Sequence, residues 1–121
     1  MLRFGDIFPM PMMFGFSDHR RQQLEAEARR FSEEGPPYGA MAAWIVGEFA
    51  GGRVDPETEL ELVIVQETDE PFQRRGEFWE SHLRPRVGTR YLVYTPDEVD
   101  EYAESDPLLQ QAMTSGEAII G

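Results

Sequence analysis

The chain has 121 residues, enough for one hydrophobic core and too few for two ordinary ones. Its formal charge of -12 disfavours the broad cationic surface needed to grip DNA or RNA. All 11 basic residues are arginine, and lysine, asparagine and cysteine are absent, which excludes a Schiff-base or P-loop lysine, a thiol nucleophile, a disulfide, a cysteine-zinc site and an N-glycosylation sequon.

Residues 1–16, "MLRFGDIFPMPMMFGF", contain twelve Met, Leu, Ile, Phe or Pro residues. Asp6, Pro9 and Pro11 interrupt the unbroken apolar stretch that a secretory signal needs. No apolar run in the chain approaches the ~18 residues of a membrane span, so the expected compartment is the cytoplasm and no membrane partner is expected. The prolines argue against a helix or central strand here. The stretch reads as an apolar arm that packs on its own domain or on a second copy, or offers an adaptable methionine surface to a partner.

Residues 17–121 read as one domain. Ser17 or Asp18 can cap a helix running to about residue 34, whose buried stripe is Leu24, Ala28 and Phe31 at i, i+4 and i+7. Gly35-Pro36-Pro37 ends it. Residues 40–46 and 59–65 read as strands. Alternation along the second puts Leu60, Leu62 and Ile64 on the face beneath the helices, and Glu59, Glu61, Val63 and Val65 on the other. A helix is expected over 71–84, with Phe72, Phe78, Trp79 and Leu83 available for burial. A third strand follows over 90–95. Thr95 before Pro96-Asp97-Glu98 is a helix-start signal. A last helix from residue 107 carries Leu108, Leu109, Ala112 and Met113. The result is a small α/β (α+β) domain, a mixed sheet with helices mainly on one face.

The carboxylates Glu59 and Glu61 are, on their own, what the solvated side of a half-buried strand presents. Their spacing from Gly47 adds a second reading. Gly47-Glu48 is followed by ten residues, Phe49 to Thr58, and then by Glu59-Leu60-Glu61 and an aliphatic run, "LVIV". This resembles the minimal nucleotidyltransferases of the DNA polymerase beta superfamily, whose signature is Gly-Ser, ten residues, then Asp-x-Asp at the start of a strand. The likeness covers roughly residues 18–120, with Gly51 and Gly52 in the glycine-bearing loop and Thr58 at a usual serine or threonine. "YLVYTPDEVDEYAESDPLLQQAM" looks like the third strand and C-terminal helices.

The resemblance implies a nucleotidyltransferase-like fold and a site that binds a nucleoside triphosphate with Mg²⁺. Gly47, Glu48, Gly51 and Gly52 would be its nucleotide-binding positions, and Glu59 and Glu61 its metal pair. Arg90 stands at the third catalytic position, where a carboxylate is expected. Partners implied are a small helical protein of the toxin–antitoxin kind or a second copy of the chain.

Three departures bear on activity. Glutamate for aspartate keeps charge and face but lengthens the arm, whereas Mg²⁺ demands near-octahedral geometry. Glu48 replaces a hydroxyl donor with an anion beside the triphosphate; at ~4 Å and an effective dielectric of ~20 the repulsion is about 4 kcal/mol, or hundreds-fold in affinity. Arg90 removes an acceptor and installs a permanent cation. Two functions follow. One is a binding or regulatory module with a lapsed centre and no cofactor. The alternative is an active divergent enzyme moving a nucleotidyl group from a triphosphate to a protein or small-molecule hydroxyl with Mg²⁺. If the register holds, Arg90 pairs with at least one of Glu48, Glu59 and Glu61.

Arg74, Arg75, Arg84, Arg86 and Arg90 can be read as an anion-binding rim or as surface ion-pair partners in a chain with 23 acids. His19 and His82 lack a second ligand at metal spacing and read as surface or helix residues.

Overall fold

A computed structural model describes residues 11–121, with side chains from residue 17 onward. The first helix, α1 (Pro11–Glu34), starts upstream of the expected cap at Ser17 or Asp18. The expectation of a non-helical arm over 1–16 is therefore corrected for its last six residues, because a proline at the start of a helix loses no hydrogen bond. Residues 1–10 lie outside the described residues, as do the contacts proposed for the arm.

The remaining elements are β1 (Ala42–Val46), a single turn α2 (Gly47–Ala50), β2 (Leu60–Val65), α3 (Arg75–Leu83), β3 (Thr89–Tyr94), α4 (Pro96–Tyr102), α5 (Pro107–Thr114) and β4 (Glu117–Ile120). Short 3-10 turns at Pro36–Tyr38 and Phe72–Arg74 precede β1 and α3. The sheet order is β3-β2-β1-β4. β1 pairs antiparallel with both β2 and β4, while β2 and β3 are parallel and joined by a crossover through α3. The fold is a small α+β domain on a mixed sheet.

Leu60, Leu62 and Ile64 are fully buried, as their alternation predicts, in one cluster with Leu24, Ala28 and Phe31 of α1 and Trp79 and Leu83 of α3. Removing each such leucine, isoleucine or phenylalanine side chain from water stabilises the fold by about 1.5–3 kcal/mol. Trp79 satisfies its indole N–H by donating to Gln66 Oε1 at 2.9 Å, so its ring is buried without an orphan donor. Phe72 falls on the 3-10 turn, outside this core, and stays exposed.

The two longest helices share this face. On the other face a smaller cluster joins Val46, Val63 and Tyr94 to Leu109 and Ala112 of α5. Asp106 begins α5 by accepting from the N–H groups of Leu108 and Leu109. Thr95 and Glu98 form a reciprocal capping box at α4. Among the described residues no helix is long and apolar enough to cross a membrane.

Candidate functional site

The sheet's register assembles the site. In the antiparallel pair Val46 faces Glu61, and in the parallel pair Glu61 faces Arg90. The chain leaves β1 at Gly47 with φ +80°, a left-handed conformation that glycine adopts without steric cost. A Cβ on Gly47 would also make the Glu61 carboxylate move, since it would lie 2.0 Å from Oε2. From the opposite side Arg90 Nη1 approaches Glu61 Oε1 at 3.5 Å. Glu61 is thus held between a bare backbone and a guanidinium, with side-chain exposures of 22% for Glu61 and 59% for Arg90. The expected pairing of Arg90 with one of the three carboxylates is present, and its partner is Glu61.

The glycine loop closes on itself. Gly51 N–H donates to Gly47 O at 3.2 Å, Gly52 N–H to Phe49 O at 3.0 Å and Arg53 N–H to Glu48 O at 2.9 Å. Three donors that could cradle a phosphate are therefore occupied in forming the turn. Glu48 is exposed on α2, immediately after Gly47. Gly52 has φ +84° and open space around it, so its backbone rather than a close neighbour calls for glycine. Thr58 anchors the far end of the loop: it is buried, its Oγ1 accepts from Asp55 N–H at 2.9 Å, and its carbonyl accepts from Arg20 Nε at 2.8 Å.

Glu59 falls one residue before β2 and is exposed. Its carboxylate lies over Gly88, where a Cβ would sit 2.8 Å from Oε2. The two carboxylates of the expected metal pair therefore rest against different glycines, Glu59 on Gly88 and Glu61 on Gly47. Among the described residues no three His, Asp or Glu side chains converge to hold a metal.

Gly88 belongs to no motif in the sequence; its position immediately before β3 is the signal it carries. Of the five arginines read as an anion-binding rim or as ion-pair partners, three are ion-paired: Arg75 is buried and bidentate to Glu98, while Arg74 pairs with Glu77 and Arg90 with Glu61 at the surface. His82 stacks on Phe78, with centroids 4.2 Å apart, and its Nδ1 lies 2.7 Å from Phe78 O, a helix-packing role.

No protein-family model, curated protein or solved structure matched the chain.

Proposed function

We propose that the chain is a nucleotidyltransferase-like module whose catalytic centre has lapsed and which acts by binding rather than by group transfer. The carrying observation is the Arg90–Glu61 contact at 3.5 Å. On this reading a fixed cation stands on the strand where a third carboxylate would receive a proton from the acceptor. A guanidinium, never deprotonated near neutral pH, cannot act as that base. The internally bonded glycine loop supports the same reading, since it offers a phosphate fewer free donors. No cofactor is required by this function. The partners it suggests are a small helical protein or a second copy, in the cytoplasm.

The test is calorimetric titration of Mg-ATP and Mg-GTP into the native protein and into a Glu48→Ser, Arg90→Asp double variant. The native protein is expected to show no saturable metal-dependent binding, and the double variant to gain it. Saturable binding by the native protein that is lost on replacing Glu59 and Glu61 by Gln would overturn the lapsed centre. It would favour the alternative, an active Mg²⁺-dependent nucleotidyltransferase, which transfer of a labelled nucleotidyl group would then have to show.

A further inference from the structure

We propose that a cavity away from that site, bounded by Phe72, Tyr94, Glu98, Tyr102 and Asp106, binds an organic cation: an ammonium group carrying alkyl substituents. Its volume is about 290 Å³, at the small end for ligand sites, which suits a single head group. It involves none of the residues around Glu61 and Arg90, so its fate is independent of theirs.

Every side chain bounding the cavity is either an aromatic ring or a carboxylate. Tyr94 borders the cavity and is 4% exposed. Phe72 stands at 62° to it with centroids 5.3 Å apart, so the two rings make a corner. Phe72 and Tyr102 are 41% and 44% exposed, large aromatic surface left open at the cavity. Ring faces carry negative potential and attract cations, best when these are partly desolvated. The fold already uses that property once, because the Arg75 guanidinium lies 5.7 Å from the Phe72 centroid. Arg75 itself is buried and committed to Glu98, Val93 O and Glu70 O.

The carboxylates set the sign of the ligand. Glu98 is balanced by Arg75, whereas Asp106 accepts from the Tyr94 hydroxyl at 3.1 Å and from two N–H groups, with no cationic side chain among its hydrogen-bond partners. Burial foremost, then Asp106, pushes the Tyr94 hydroxyl above the ordinary phenol range, so it remains a donor and its ring stays uncharged. Residues 95–106 contain six acids and no basic residue, so the local field repels anions and concentrates cations. A purely hydrated metal ion would gain nothing from three rings. A purely apolar molecule would gain nothing from the carboxylates. An alkylated ammonium uses both.

The test titrates choline and its uncharged carbon isostere, 3,3-dimethyl-1-butanol, into the full chain, following aromatic ring protons by NMR. Choline is expected to shift the Phe72, Tyr94 and Tyr102 rings and to bind at least about tenfold more tightly than the alcohol. Phe72→Leu and Tyr102→Leu, conservative changes at exposed positions, should each weaken choline by about three- to tenfold. Equal affinity for both compounds, affinity unchanged in both leucine variants, or no ring shifts with choline at any concentration overturns the site. A trimethyllysine peptide provides a last arm. Binding tighter than choline supports the site with a protein tail as its source, and weaker binding supports it with a free amine.

Discussion

Arg75 ties together the start of α3, the end of β3 and α4, and its removal should be the most damaging single polar substitution in the chain. Its Nη1 and Nη2 donate to Glu98 at 2.6 and 3.0 Å, Nη1 also to Val93 O at 3.0 Å, and Nε to Glu70 O at 2.8 Å. Arg75→Leu would leave one carboxylate and two carbonyls without their donors. Breaking a buried pair in this one-sided way costs about 3–5 kcal/mol. Glu98 is 28% exposed and can recover some hydration, so the lower end, about 3 kcal/mol, is expected. Against a total stability of about 5–15 kcal/mol this is a large share, equivalent to a fall in Tm on the order of 10 °C.

Urea denaturation measures it directly, with a lowered midpoint at constant slope. An Arg75→Leu, Glu98→Gln double variant should recover part of the loss, because no carboxylate is then stranded and the amide oxygen can still accept from Thr95 N–H in the capping box. A single-variant cost below about 1 kcal/mol, or a double variant no better than the single, would refute the reasoning. The same contact fixes a pH dependence. Hydrogen bonds from Arg75 hold the Glu98 carboxyl below its ordinary range against the opposing effect of desolvation. A depressed carboxyl contributes stability that is present above its unfolded pKa and lost as pH falls through the folded value. Glu98→Gln should therefore flatten the acid limb of the stability curve.

Gly47→Ala should destabilise the fold by about 1–3 kcal/mol through the positive φ, with the Glu61 carboxylate moving aside; Glu61→Ala in the same chain should therefore recover little, as a denaturation double-mutant cycle would show. Trp79→Ala should cost about 3–5 kcal/mol by opening the core and stranding Gln66, read as a lowered urea midpoint. Thr95→Ala should cost about 1 kcal/mol through loss of the capping box, and circular dichroism should show α4 otherwise intact at low temperature.

The parts legible in the sequence were those whose signal is local. Leu24, Ala28 and Phe31 announce the buried stripe of α1, the alternation over 60–64 gives the burial of β2, and Thr95-Pro96 marks the start of α4. β4 went unread because Glu117–Ile120 is four residues long and carries no turn signature of its own. Its strand identity comes from pairing with β1, through a register shift between Ala43 and Trp44 that no local pattern encodes. Phe72 and Arg75 failed in opposite directions for one reason. The 3-10 turn at Phe72–Arg74 shifts the helical phase, leaving an aromatic exposed and a guanidinium buried. Within the candidate site, the Glu61–Arg90 partnership was legible once the strands were aligned. The division of Glu59 and Glu61 between Gly88 and Gly47 was not, because it depends on which neighbouring backbone lacks a side chain.

The Arg90–Glu61 pair is long and its cation is mostly exposed, so its contribution to stability is at most about 1 kcal/mol. Any inhibition of metal chemistry must then come from position rather than strength. Were Arg90 to swing out, Glu61 alone would be free to meet Mg²⁺. What does not change with that motion is the charge: the tethered guanidinium remains at this end of the sheet, screened only over a Debye length of about 8 Å at physiological salt. The Glu48 carboxylate also remains beside the loop. Replacing Arg90 alone should therefore restore little. The two substitutions act on different obstacles, cation against cation at β3 and anion against anion at α2, which is why the proposed gain of nucleotide binding requires Arg90→Asp and Glu48→Ser together.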